Sequence, residues 1–258
     1  MGVIFFSSAN KNVYTREHLN FLLTLANSIA ICLNQNIFIS DILYSSILAL
    51  AKLAEARDED TGDHLGRMTV YAKLIAELLY EENIYPEEIT LEYIDNIKHF
   101  SPLHDIGKVG IRDGILLKPG KLTPEEFDEM KKHTVFGSEV LRMAENNMKK
   151  RGRSLFSMGF EIAESHHEKW DGSGYPHGKK AYEIPLCARI AALADVFDAL
   201  TSKRPYKEAY SFEVSMDIIE EGRGKHFDPA IIDIIMKNRS RMEHIYLKYH
   251  ALNKKIED

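Results

Sequence analysis

The sequence predicts an all-helical fold, and three observations support this prediction. Apolar residues recur at intervals of three and four along most of the 258-residue chain, which is typical of amphipathic helices. Capping signals open several of these segments, and no convincing run of strands follows. With 45% apolar residues, the chain can bury a full core in one or two domains.

The first element is an exception. Val3-Ile4-Phe5-Phe6 is typical of a short β-strand. A solitary strand has no ladder partner of its own. We therefore expect this orphan strand to be the end of a longer unit.

A long helix should follow this strand. No Pro or Gly occurs between Thr15, which suits the N-cap, and Arg57. A helix of that length runs about 60 Å, longer than a globular domain needs, so part of its apolar stripe should contact another helix. One interpretation is an amphipathic helix on its own core. The preferred one is a parallel two-chain coiled coil with Leu22, Ile29 and Leu33 near the axis.

Composition and charge restrict the class of protein. The net charge of −6 argues against a broad surface for nucleic acid polymers, although a small cationic pocket remains compatible with it. Cys32 and Cys187 are isolated, which fits a reduced cytoplasm. The apolar run 21–33 is interrupted by polar residues and is shorter than a bilayer span, and no signal peptide precedes it. We therefore expect a cytoplasmic chain without a membrane segment.

Beyond residue 57 the pattern predicts a run of helices joined by short loops. One helix should run from Leu91 to His104 with a kink at Pro102. Thr123-Pro124-Glu125-Glu126 is a capping box with proline at the first helical position. A further helix should end at His166-His167, and another should cover Leu186 to Thr201.

Several ionisable side chains fall where the apolar stripes predict the protein interior. An isolated carboxylate is costly to bury unless it is paired or bound to a metal. A single buried histidine is usually a satisfied core residue, but five together with two carboxylates favour a polynuclear metal site. Imidazole and carboxylate ligands without thiolate suit iron, manganese, zinc or nickel. The candidate ligands are His64, His104, Asp105, His133, His166, His167 and Asp195.

Asp105 has a special place in this set. Neighbouring side chains on a helix diverge, so a carboxylate beside His104 can bridge two metals while the imidazole binds one. Two metals about 3.5 to 4 Å apart polarise a phosphoryl oxygen and deprotonate a shared water. The pattern therefore indicates phosphoester hydrolysis.

These motifs and their order resemble those of HD-GYP domains, the HD phosphohydrolases that open cyclic di-GMP. The resemblance covers roughly residues 43–237. It implies an HD-type helical bundle with a dinuclear or trinuclear centre on the seven ligands above, with iron as the expected metal and manganese or another divalent metal as alternatives. The matching motifs are His64, His104-Asp105-Ile106-Gly107-Lys108, His133, His166-His167, Asp171-Gly172-Ser173-Gly174-Tyr175-Pro176, Asp195 and Asp198-Ala199-Leu200-Thr201-Ser202-Lys203-Arg204-Pro205-Tyr206.

The resemblance also suggests a division into two parts. Residues 1–40 are similar to the last strand and closing helix of a GAF sensory domain, continued by a linker helix for dimerisation and signalling. Residues 41–258 would form the catalytic domain of a homodimer. Related proteins have been linked to GGDEF cyclase domains, so such proteins are candidate partners.

Four residues are assigned to the substrate. Lys108 stands one turn after the His-Asp pair, where its ammonium can neutralise the phosphate under attack. By resemblance, Arg204 and Lys207 hold the second phosphate. Tyr175 would line the guanine pocket, and the glycines around it permit the backbone turn.

Asp60 stands four residues before His64, where some relatives carry a glutamate that recruits a third metal. This spacing places both side chains on one helix face. The alternative is an N-cap for a helix beginning near Thr61.

The sequence thus predicts a phosphodiesterase in which a metal-bridging hydroxide attacks a phosphorus of cyclic di-GMP. Asp105 bridges the metals and Lys108 stabilises the developing charge, giving linear pGpG and, on a second turnover, GMP. One alternative is an HD-type nucleotide phosphohydrolase, which Arg204 and Lys207 argue against. Another is a catalytically weak cyclic-dinucleotide sensor or protein-interaction module, against which the intact ligand set counts.

Overall fold

The computed structural model describes residues 5–11, 13–57, 64–203 and 208–254, the last five of these by backbone alone. Within these ranges the chain is helical and contains no strand, so the predicted all-helical fold is confirmed. Short 3₁₀ helices cover Ser101–Leu103, Ile106–Gly110 and Ala181–Glu183. The α-helices are α1 (Arg16–Glu55), α2 (His64–Glu81), α3 (Leu91–Phe100), α4 (Asp113–Leu116), α5 (Pro124–Lys149), α6 (Ser157–Ser165), α7 (Leu186–Thr201), α8 (Phe212–Glu221), α9 (Pro229–Lys237) and α10 (Arg239–Lys254).

The chain divides into two compact units, one up to Ser46 and one from Ile47 onward. The long N-terminal helix is confirmed, because α1 runs without interruption for 40 residues. The predicted orphan strand is not confirmed. Phe5 and Phe6 lie in irregular backbone, and residues 3 and 4 fall outside the described part of the chain. The GAF-like character of the first unit therefore stays a prediction.

In the first unit, α1 exposes apolar side chains at positions spaced around its whole circumference. Phe21 is 68% exposed, Leu33 57% and Phe38 63%. An 18-residue stretch of α1 is strongly apolar, and only 17% of it is buried. The expectation of a chain without a membrane segment therefore stays a prediction. By length and composition α1 is a candidate span, a criterion that core helices also meet.

The second unit is built around α2 and α7. Helix α7 has the bounds that its apolar run predicts, and most of its residues are buried. The Tyr71 ring of α2 meets the Phe197 ring of α7 edge to face, with centroids 4.8 Å apart. Each fully buried side chain of this size contributes about 1.5 to 3 kcal/mol to folding. Polar groups on the facing surfaces of these helices therefore lie inside the protein and need partners there.

The segment after α3 turns as its proline predicts. Because Pro102 has no N–H to donate, α3 ends at Phe100 and a 3₁₀ turn carries the chain to His104. The next 3₁₀ helix, Ile106–Gly110, lies directly on α5. A Cβ atom at Gly107 would stand 1.9 Å from the His133 carbonyl oxygen, so only glycine permits this approach.

Candidate metal centre

The second unit brings together seven of the eight candidate ligands. They form two groups, and within each group the ligand atoms lie within 4.8 Å of one another. They come from the start of α2, the turn after α3, the middle of α5, the end of α6 and the middle of α7. The eighth candidate, Asp60, lies outside the described residues. The first group contains Asp105, His133, His166 and His167, and the second contains His64, His104 and Asp195.

Asp105 faces both groups. Its Oδ1 lies 3.3 Å from Nε2 of His133 and 3.7 Å from Nε2 of His166. Its Oδ2 lies 3.3 Å from Nε2 of His104, which belongs to the second group. The two oxygens of one carboxylate therefore point to different histidine sets, as a bridging ligand requires.

Three histidines are fixed by their other ring nitrogen. Nδ1 lies close to a backbone carbonyl three or four residues earlier, at 3.1 Å in His104, 2.8 Å in His133 and 3.0 Å in His166. A carbonyl only accepts hydrogen bonds, so Nδ1 carries the proton and Nε2 presents a lone pair. Such bonds commonly orient metal-bound imidazoles.

These Nε2 atoms point into the protein rather than to solvent. Among the described residues, Nε2 of His104, His133 and His166 and Oδ1 of Asp105 are buried without a hydrogen-bond partner. Leaving such an atom unsatisfied costs about 1 to 3 kcal/mol. Four of them converging in one place fit a bound cation, which would satisfy all of them.

His64 is held differently. Its Nδ1 lies 2.7 Å from Oδ2 of Asp198, while its Nε2 faces Asp195 at 3.8 Å. Arg67 donates to both oxygens of Asp198 at 2.6 and 3.1 Å. Neither Asp198, which was named only as part of a matching motif, nor Arg67 was predicted to support a ligand. The available signal was spacing, because Asp198 follows Asp195 by three residues on α7 and so shares its face.

The protonation states suit metal binding in the first group. Burial lowers the pKa of His133 to about 4 and that of His167 well below its usual range. Burial alone would raise the pKa of Asp105, but the Lys108 ammonium, 2.8 Å away, and the nearby His104 and His166 side chains together hold this pKa well below its usual range. Neutral imidazoles and an ionised carboxylate are the forms that ligate metals.

The second group carries a proton when no metal is bound. Burial lowers the pKa of His64, but the hydrogen bond to Asp198 and the charge of Asp195 raise it to about 9. A metal at this group must displace that proton, so its affinity should rise with pH.

The glycine-rich loop after His167 lies beside the first group. A Cβ atom at Gly174 would stand 2.4 Å from the Lys169 nitrogen, so the loop folds back on its own backbone. This places the Tyr175 ring 4.7 Å from the His167 ring, at an interplanar angle of 32°. Tyr175 thus lies beside a candidate metal ligand, and its contact with a guanine stays a prediction. The Phe127 ring of α5 lies 6.1 Å from the Tyr175 ring, edge to face.

Of the three cationic residues assigned to the substrate, Lys108 lies within the described part of the chain. Lys108 lies next to Asp105, and its side chain is 19% exposed. Arg204 and Lys207 are outside the described residues, so their contact with substrate stays a prediction. Arg57, which no sequence motif singled out, donates a hydrogen bond to the Lys108 carbonyl.

The helices of the second unit bring two groups of histidines together around one shared carboxylate. The chain is therefore a helical protein with a candidate polynuclear metal site. The sequence profile of the HD domain matches residues 94–231. The chain belongs to this family.

Curated relatives share much of the second unit. The chain is 50% identical over 190 residues to a probable cyclic di-GMP phosphodiesterase of Vibrio cholerae, covering 74% of this chain and 43% of the relative. It is 40% identical over 206 residues to a cyclic di-GMP phosphodiesterase of Thermotoga maritima, covering 80% and 52%. It is 41% identical over 189 residues to a 3'3'-cGAMP-specific phosphodiesterase of Vibrio cholerae, covering 73% and 33%. The chain thus spans about half or less of these relatives.

Proposed function

We propose that this protein is a metal-dependent phosphodiesterase that opens cyclic di-GMP to linear pGpG, with GMP as a further product. The observation that carries the proposal is Asp105, whose two oxygens face two sets of histidines with unsatisfied Nε2 atoms. The similarity to curated cyclic di-GMP phosphodiesterases supports the choice of substrate.

The residues present fit a dinuclear centre of iron, with manganese or another divalent metal as alternatives. His133, His166 and His167 would hold one metal, His64, His104 and Asp195 the other, and Asp105 both; Asp60 would add a ligand for a third. When bound, the metals supply Lewis acidity and an activated water.

Lys108 provides the charge for the phosphate. Its ammonium lies 2.8 Å from Oδ2 of Asp105 and remains partly exposed. It can therefore pair with a phosphate oxygen beside the metal ligands and stabilise charge that develops there. Arg204 and Lys207 would hold the second phosphate, and Tyr175 would contact a purine.

A second candidate substrate is 3'3'-cGAMP, favoured by the 41% identity to a phosphodiesterase specific for it. The two cyclic dinucleotides share a ring of two riboses and two phosphodiester groups and differ in one purine. The metal ligands and Lys108 can serve both, so discrimination must come from groups that touch the bases. A direct comparison of kcat/KM for the two substrates identifies the preferred one.

The proposal also includes a dimeric state and a location in the cell. A parallel homodimer through α1 is supported by the exposed apolar residues of that helix, including Ile29 and Leu33. Sedimentation at micromolar concentration should show a dimer. A cytoplasmic location is expected, with GGDEF proteins as candidate partners. Recovery of the protein in the membrane fraction would instead assign α1 to the bilayer.

The decisive experiment is anaerobic purification followed by metal analysis and a turnover assay. We expect at least two metals per chain and conversion of cyclic di-GMP to pGpG. Cleavage of mononucleotides in preference to cyclic dinucleotides would favour a nucleotide phosphohydrolase. Tight cyclic di-GMP binding by the metal-loaded protein without turnover would identify a sensor.

A further inference from the structure

Arg57 connects the end of α1 to the segment that carries Lys108. Its Nη1 donates to the carbonyl oxygens of Lys108 at 3.3 Å and Val109 at 2.5 Å. Its Nη2 donates to the carbonyl of Ile111 at 3.1 Å and to the carboxylate of Asp113 at 2.5 Å. One guanidinium thus donates hydrogen bonds to three backbone carbonyls within four residues and to one carboxylate.

The Lys108 carbonyl also accepts a hydrogen bond from the Ile111 amide at 3.1 Å, whereas those of Val109 and Ile111 depend more on an outside donor. They lie at the end of the 3₁₀ helix Ile106–Gly110 and just beyond it, where helical carbonyls lose their internal partners. A short 3₁₀ helix also has weaker hydrogen-bond geometry than an α-helix, so it depends more on such contacts. The planar guanidinium can serve several acceptors at once, which an ammonium on a flexible stem does less well.

The same 3₁₀ helix positions the groups of the proposed reaction. Asp105 stands at its N-terminal end and Lys108 within it, and the two side chains form an ion pair at 2.8 Å. At Gly107 the same helix packs directly against the α5 backbone. The helix is therefore held by α5 on one side and by Arg57 at its end.

Arg57 also lies close to the end of α1, whose last turns belong to the second unit. Ala51 and Ala54 are buried there, at 2% and 3% exposure. Ala51 and Glu55 line a small cavity together with Asp105 and Lys108. The end of α1 and the Lys108 segment therefore share one packed region.

We propose that Arg57 is a positioning residue, which fixes the backbone of Lys108 so that its ammonium meets the scissile phosphate. The proposal rests on the proposed function, in which Lys108 contacts that phosphate. Among the described residues, Arg57 donates hydrogen bonds to none of the candidate metal ligands, and we assign it no contact with the substrate. Its loss should therefore lower the rate of the chemical step and leave metal binding intact.

The test compares Arg57→Ala with Arg57→Lys, which keeps the positive charge but lacks the planar guanidinium with its several donors. Asp113→Asn serves as a first control because it spares the three carbonyl contacts. Arg223→Ala is the second, since Arg223 forms an exposed ion pair with Asp233 at 2.7 Å. For each variant, kcat and KM, metal content, and hydrogen exchange of the peptide 104–113 are measured.

We expect Arg57→Ala to lower kcat about 10- to 100-fold, because small misplacements of a catalytic group have effects of this size. KM and metal content should change little, and the amides of residues 104–113 should exchange faster. Arg57→Lys should recover part of kcat, while both controls should behave as wild type. If Arg57→Ala does not fold, Arg57→Lys still tests the proposal through its lowered kcat.

Three results would overturn the proposal: wild-type kcat in Arg57→Ala, unchanged exchange in the segment, or loss of metal from that variant. Failure of the proposed function looks different, since the wild-type protein would then not cleave cyclic dinucleotides. The exchange measurement does not depend on turnover and would still report whether Arg57 holds the segment.

Discussion

Asp198 holds His64 from behind: the carboxylate lies 2.7 Å from Nδ1, on the opposite side of the ring from the metal-facing Nε2. Arg67 in turn donates to both oxygens of Asp198 and fixes its orientation. This order of guanidinium, carboxylate and imidazole is the arrangement that orients metal-bound histidines and raises their basicity.

Asp198→Asn should therefore weaken metal binding at the second group. The amide keeps the shape but loses the charge that supports the imidazole. We expect about 10- to 100-fold lower metal affinity at the group of His64, with the first group retained. Metal content after dialysis against a graded series of chelator concentrations measures this. Asp233→Asn, on the surface, is the matched control, and an identical chelator profile for both variants would exclude the proposed support.

Asp105→Ala should abolish tight metal binding and hydrolysis together. Both histidine groups lose their shared ligand, while Asp105 contributes little to the helices around it. We expect circular dichroism to show nearly unchanged helix content, and metal analysis to show less than one tightly bound metal per chain. Full turnover by this variant would contradict the bridging role.

Asp60→Asn separates two roles for a residue outside the described part of the chain. If Asp60 binds a third metal, wild-type content should approach three per chain and the variant should lose about one. If Asp60 caps the helix instead, metal content should not change, because asparagine caps nearly as well as aspartate. Metal analysis of both proteins prepared side by side decides this, and equal stoichiometry rules out the metal role.

Glu145→Gln should lower stability in a way that depends on pH. Glu145 is buried between α5 and α6 and accepts hydrogen bonds from the Ser154 hydroxyl at 2.6 Å and the Leu155 and Phe156 amides at 2.9 and 2.7 Å. Burial alone would raise its pKa, but these bonds lower it to about 2.

A depressed folded-state pKa stabilises the protein above the unfolded-state pKa, near 4.5, and this contribution is lost as the pH falls towards 2. Losing bonds to a charged group costs about 1.5 to 3 kcal/mol. We therefore expect Glu145→Gln to melt several degrees below wild type at pH 7 and to approach it below pH 3. Thermal unfolding across this range measures the difference. A constant gap at all pH values would show that the charge plays no part.

The candidate ligands could be proposed from the sequence because they are polar residues on, or at the ends of, otherwise apolar helical segments, and their binding of metal stays a prediction. Their supporting groups could not. His64 and Asp198 are 134 positions apart, and Arg57 binds carbonyls more than 50 positions away. Periodicity describes which face of a helix is buried and says nothing of the partner across the interface. In the sequence, Asp198 cannot be distinguished as a support for His64 from any other aspartate on a helix.

Two features near the N-terminus were also hard to predict from the sequence. A four-residue apolar run such as the one ending at Phe6 does not distinguish a strand from irregular backbone. In α1, Thr24 and Ser28 seemed to interrupt the apolar run. Their hydroxyls instead donate to carbonyls four residues earlier, at 3.0 and 2.9 Å, so the helix satisfies them itself. Such residues do little to prevent entry into an apolar environment.

The contact of Gly107 with the α5 backbone links ligand spacing to the integrity of the domain. The backbone after Asp105 rests on the carbonyl of His133, so these two ligands cannot separate unless the packing of the helices also opens. A cation that binds only the closed arrangement therefore adds its binding free energy to that of folding, by about 2.7 kcal/mol at a hundred times its dissociation constant. Chelation should thus loosen the whole catalytic unit, and metal supply would set how long the protein survives as well as how fast it works.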